Sequence, residues 1–115
     1  MTSPQARKGR HAELAAHRYI ALETGWHVVD PKQGQRDDVG DMHIFTPELV
    51  VVQVKNYPND LARAIHDGLA ELPVQIGNAG AEDGFVLARK RGVTDPADWI
   101  VARTLRAELE RLREQ

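Results

Sequence analysis

Residues 49–55, Leu-Val-Val-Val-Gln-Val-Lys, constrain the fold more than any other stretch of the chain. Val50, Val51, Val52 and Val54 are β-branched, and such a run favours an extended strand. Side chains alternate along a strand, so Val50, Val52 and Val54 face one way while Val51, Gln53 and Lys55 face the other. The first face is uniformly apolar and belongs in a core. The second turns polar toward its C-terminal end, where an amide and an ammonium project together just beyond a hydrophobic layer.

The rest of the chain is organised around that strand. Residues 8–24 read as a helix, with Ala12, Ala15, Ala16, Tyr19, Ile20 and Leu22 available for packing and Gly25 closing it. Residues 26–29 read as a short strand, 30–40 as a polar loop and 42–45 as a second strand, with a turn at Thr46-Pro47-Glu48. After Lys55, Asp60 is placed to cap a helix over 61–77, in which Pro73 predicts a kink or an early end. A fourth strand follows at 84–88, then a loop over 89–97. Residues 99–102 are a fifth strand or the entry to the last helix, 104–113. This order predicts a single α/β domain, a mixed sheet flanked by helices. At 115 residues one modest core is available. The chain has no cysteine, which excludes disulfides, zinc–thiolate sites and cysteine nucleophiles. No apolar run approaches the ~18 residues of a membrane span, and no signal-like segment opens the chain, so a cytoplasmic protein is the expectation.

Asp41 stands at the start of the strand before 49–55, twelve positions ahead of Gln53. If the two strands form an antiparallel hairpin around Thr46-Pro47, Asp41 comes to lie beside Gln53 and Lys55. Phosphodiester hydrolysis uses such a set. A carboxylate holds Mg²⁺ (or Mn²⁺), a hard cation that prefers oxygen ligands. The metal polarises the phosphate and lowers the pKa of a bound water, and a nearby ammonium orients that water and offsets developing charge. Asp41 supplies the carboxylate and Lys55 the ammonium. The Gln53 amide oxygen is a weaker neutral ligand, and the Val54 backbone carbonyl adds another oxygen. Plainer roles exist for each. Lys55 is also readable as a solvated strand-end residue, Gln53 as an exposed strand amide and Asp41 as a turn cap, with Asp38 a rival for its position.

Gly40-Asp41 followed by Val51-Val52-Gln53-Val54-Lys55-Asn56 resembles the signature of the PD-(D/E)XK nucleases, of restriction-endonuclease-like fold. Arg7-Lys8-Gly9, Glu13 and Gly25-Trp26-His27-Val28-Val29 are similar to the N-terminal part of archaeal-type Holliday-junction resolvases, with related small nucleases in phages of actinobacteria. The resemblance in order and pattern runs from Arg7 to about Val101. It implies a metal-dependent endonuclease, a homodimer acting on four-way or other branched DNA during recombination, and Glu13 as the helix-borne ligand completing the metal site. Two-fold symmetry suits a junction that presents two equivalent strands. The departure is Gln53, where the usual motif has Glu or Asp. Gln removes a negative charge, which predicts weaker metal binding or greater dependence on Glu13, with Asp37 and Asp38 in a position to compensate. A domain that kept the fold and lost catalysis is the alternative.

Net charge is −2, so nucleic-acid contacts require locally gathered bases. Arg7, Lys8 and Arg10 form one cluster and Arg89, Lys90 and Arg91 another, the latter expected near a sheet edge, while Arg36 and Tyr57 are further candidates for DNA contact. His43, two residues after Asp41, is a candidate for substrate contact. Gln75 resembles a glutamine on the helix after the motif in some nucleases of this class. Leu105, Leu109 and Leu112 make a stripe for the core or for a second subunit.

Overall fold

The computed structural model describes residues 4–31 and 37–114, with side chains of the opening helix from Gly9 onward. The elements are α1 (Pro4–Thr24), β1 (His27–Val29), β2 (Met42–Phe45), β3 (Leu49–Lys55), α2 (Leu61–Ala79), β4 (Asp83–Ala88), a 3₁₀ turn at Pro96–Asp98, β5 (Ile100–Ala102) and α3 (Leu105–Arg113). The five strands lie in chain order in one mixed sheet. Neighbours are antiparallel except β3 and β4, which run parallel and are joined through α2. The expected α/β architecture is present, and the β2–β3 hairpin turns at Thr46-Pro47 as the chemistry argument requires, with Met42 opposite Val52 and Phe45 opposite Leu49.

The alternation along β3 divides the core in two. Val52 and Val54, with Val50 beside them, pack with Ala12 and Ala16 of α1 and with Met42, Ile44, Leu87 and Trp99. Val51 faces the other way and packs with Leu72 of α2 and Val86 of β4. Met42, Val51, Val52 and Val86 are completely buried, and each such side chain contributes about 1.5–3 kcal/mol through loss of contact with water. Gly68 lets α2 lie directly on β4, since a Cβ there would come within 2.7 Å of Val86 Cγ1.

Helix ends follow local chemistry. Asp60 accepts a hydrogen bond from the Arg63 amide at the start of α2, and Thr104 does the same for Ala107 at the start of α3. One expectation is corrected. Pro73 does not end its helix, because α2 continues to Ala79. Pro73 is exposed, so the Leu69 carbonyl it leaves unserved is on a side that water reaches. Arg89, Lys90 and Arg91 follow the C-terminal end of β4, an interior strand between β3 and β5. Of the two readings for residues 99–102, the strand is the one found, over Ile100–Ala102.

Candidate active site

β2 ends at Met42 while β3 runs on to Lys55, so the outer amides of β3 lose their strand partner beyond Val52. Asp41 fills that gap. Its amide donates to the Val52 carbonyl at 3.1 Å, and its Oδ2 accepts from the Val54 amide at 2.8 Å. The carboxylate thus stands in for a ladder bond, which fastens it to the strand that carries Gln53 and Lys55. Within a strand the N–H and C=O of one residue project to the same side, so the Val54 carbonyl is directed toward the Asp41 side as well.

Glu13 reaches toward Asp41 from α1, close enough for the two carboxyl groups to interact. Burial, then the charges of Asp41 and Asp30, push Glu13 up from an ordinary 4.5 to about 7, against the opposing effect of Arg10. Asp41 is also raised, chiefly by burial. The Val54 amide and Lys55 oppose this, and Asp38 and Glu71 add to it. Two neighbouring carboxyls, both reluctant to ionise, store a repulsion that a cation would relieve.

Lys55 and Gln53 project on the α2 side. The Lys55 ammonium, its side chain 11% exposed, lies 2.7 Å from Glu71 Oε2 and 5.7 Å from the centre of the Tyr57 ring. Burial pulls its pKa down, but the hydrogen bond and charge of Glu71, with Tyr57 and Asp41, outweigh that and raise it. Lys55 is therefore a fixed cation. The Tyr57 hydroxyl donates to Asp67 at 3.1 Å. Gln53, 7% exposed, is no solvated strand amide. Its Oε1 accepts from Gln75 Nε2 at 2.6 Å, and the same nitrogen donates to Asp38 Oδ2 at 3.0 Å. Gln75 Oε1 is buried with no partner among the described residues. Turning the amide over would set that oxygen against the Asp38 carboxylate, so the orphaned oxygen, at a cost of about 1–3 kcal/mol, is the lesser penalty.

These contacts form a ladder between one helix and one strand. Asp67, Glu71 and Gln75, each four residues apart on α2, meet Tyr57, Lys55 and Gln53, each two apart along β3 and its extension. Asn78, a further turn along α2, donates to the Asp38 carbonyl at 2.9 Å. Asp38 Oδ1 accepts from the Gly40 amide at 3.0 Å. Gly40 itself has φ +88°, and a Cβ there would lie 2.5 Å from Val51 Cγ1. Only glycine passes the chain this close to β3 between Asp38 and Asp41.

The structure thus brings Glu13 near Asp41, sets the Lys55 charge within reach of Asp41, and binds Gln53 to Gln75 and Asp38. Asp38 does not replace Asp41; it holds Gln75, and both Asp37 and Asp38 are exposed. His43 is turned inward, its Nε2 2.7 Å from the Val39 carbonyl, and His17 pairs with Asp30. Among the described residues no group of three or more His, Cys, Asp or Glu side chains forms a metal cluster. Glu71, Asp67 and Asn78 were not anticipated. Their signal was present as a polar i, i+4 series beside the apolar face of α2.

Beside Lys55 the turn to Asp60 lines a groove of about 570 Å³ with Gly9 of α1 and Arg63 of α2. Arg91 reaches this turn through a 3.0 Å bond to Asn59. Arg89 lies over the Trp99 ring at 5.6 Å, Lys90 and Arg10 are exposed, and the side chains of Arg7 and Lys8 and all of Arg36 lie outside the described residues. Comparison of the chain with family models, with curated proteins and with solved structures gives no match.

Proposed function

We propose that this chain is a metal-dependent DNA endonuclease, with Asp41, Glu13, Gln53 and Lys55 as its active centre. The observation that carries this reading is the Asp41 carboxylate, fastened to β3 at the Val54 amide, with the Glu13 carboxyl and the Lys55 ammonium close by. The donor set fits a divalent cation: two neighbouring carboxylates, the Val54 carbonyl directed to the same side and a buried amide oxygen nearby, all hard oxygen ligands suited to Mg²⁺ or Mn²⁺. Bound there, the cation supplies Lewis-acid polarisation of a phosphoryl oxygen. The chain's own groups do the rest. Lys55, kept protonated by Glu71, stabilises negative charge developing on the phosphate and holds the attacking water through an N–H donor. It acts as a cation and not as a proton acceptor. Lys55, Tyr57, Arg63 and Arg91 about the groove, with Arg10 and Lys90, suit a phosphate backbone, and such contacts weaken with salt.

The branched-DNA substrate and the homodimer follow from the resemblance and belong to this proposal. No described helix is long and apolar enough to cross a membrane. A second reading, a DNA-binding module without catalysis, is favoured by one feature: Gln53 contributes no charge where two carboxylates alone must hold the ion. Cleavage of labelled four-way junction, flap, single-stranded and duplex DNA with Mg²⁺ or Mn²⁺ separates the two. Metal-dependent cutting that disappears in Asp41→Ala and Lys55→Ala is the expected outcome. Tight junction binding without cutting in either metal would assign the module role.

A further inference from the structure

We infer that Asp38 and Gln75 are positioning residues that orient the Gln53 amide and place, one side chain away, the negative charge that position 53 lacks. The inference rests on the cation site proposed above and explains how that site works with a neutral residue on its strand.

The geometry is a bridge through one nitrogen. Gln75 Nε2 donates to Asp38 Oδ2 at 3.0 Å and to Gln53 Oε1 at 2.6 Å, so the carboxylate oxygen and the amide oxygen are no more than 5.6 Å apart. Gln75 is 1% exposed and Gln53 7%, so the bridge runs through two buried amides, while the Asp38 carboxylate lies at its solvent-exposed end. Because the nitrogen gives one hydrogen to an anion, its other N–H is a weaker donor and leaves more electron density on Gln53 Oε1. That oxygen retains a second lone pair for a cation. Orientation is enforced as well. The Asp38 carboxylate demands the nitrogen of Gln75, which in turn demands the oxygen of Gln53.

Asp38 is itself pinned at three points: Oδ1 by the Gly40 amide, Oδ2 by Gln75, and its carbonyl by Asn78. These contacts fix the carboxylate although Asp38 itself is exposed to solvent. Gln75 Oε1, buried and without a partner among the described residues, is what the bridge leaves over.

The test is Mn²⁺ binding to the full chain, read from the electron paramagnetic resonance signal of the free ion, without DNA or turnover. Asp41→Asn is expected to abolish binding. Asp38→Asn keeps the size of the side chain but removes its charge and one of its two acceptors, and Gln75→Met breaks the bridge; each is expected to raise the Kd about tenfold. Gln53→Glu in the Asp38→Asn chain returns the charge directly and restores wild-type affinity or better. A role for Asp38 confined to shaping its loop would show no such rescue. Asp38→Asn binding within about twofold of wild type, with Asp41→Asn still abolishing it, overturns the inference and leaves the cation site intact. Binding indifferent to Asp41 removes the cation site and the inference together. Should circular dichroism show Asp38→Asn unfolded, Gln75→Met carries the same comparison.

Discussion

Replacing Glu13 by Gln should make the metal-free protein more stable at alkaline pH. In the folded chain Glu13 is raised from 4.5 to about 7, so the native state holds its proton more tightly than the unfolded chain does. For an acid shifted this way, the favourable contribution is complete below 4.5, falls as pH rises toward 7, and is gone above it. At ~1.4 kcal/mol per pH unit the ceiling on that fall is ~3 kcal/mol. The carboxyl is only half-buried and solvent screens it, which leaves ~1–2 kcal/mol. Urea denaturation at pH 5 and pH 8 reads this directly. With a slope of about 1–1.5 kcal/mol per molar urea for a domain of this size, the wild-type midpoint should drop by roughly 1 M relative to Glu13→Gln. Mg²⁺ or Mn²⁺ at pH 8 should recover the loss in wild type and do little in the variant, since binding to the native state alone stabilises it. Parallel pH profiles for the two proteins, with or without metal, would refute the coupling of Glu13 to Asp41.

Lys55→Met should abolish cleavage and destabilise the fold by ~1–2 kcal/mol, because Glu71 is left without its cation; Glu71→Gln should keep the fold and reduce kcat, measured on the preferred DNA substrate. Gly40→Ala should cost ~2–3 kcal/mol in urea unfolding, since a Cβ 2.5 Å from Val51 Cγ1 and a positive φ act together. Pro73→Ala should stabilise by ~1–3 kcal/mol, returning an N–H to the middle of α2; a lower midpoint would show that the proline serves the unfolded state more than it disturbs the helix.

The strands were legible because β-branched runs leave few alternatives, and the bounds of β2 and β3 match the reading residue for residue. Gln53 and Lys55 were assigned to one face on period alone, and they share it. Their partners were not legible, because pairing Glu71 with Lys55 requires knowing how α2 lies on β3, which no local pattern states. Glu13 stood out only by resemblance: one carboxylate on an amphipathic helix has no local mark. Pro73 was misread because proline carries the same local penalty wherever it sits, and only the structure shows that its side of the helix is wet. The leucine stripe of α3 had two readings, and the structure leaves it outside the core, with Leu105 73% exposed.

The α2–β3 ladder works as a vernier. Four residues of helix rise about 6.0 Å, and two residues of strand about 6.6 Å, so successive rungs stay in step to within about half an ångström. Sliding α2 by less than a turn would set Glu71 and Gln75 between rungs, and rotating it by one residue would swing the whole polar stripe away from the sheet. The position of the Lys55 ammonium and the orientation of the Gln53 amide are therefore set by how helix and strand mesh as gauges. A single altered rung leaves that index in place; a one-residue insertion in α2 ahead of Asp67 erases it and disarms every rung together.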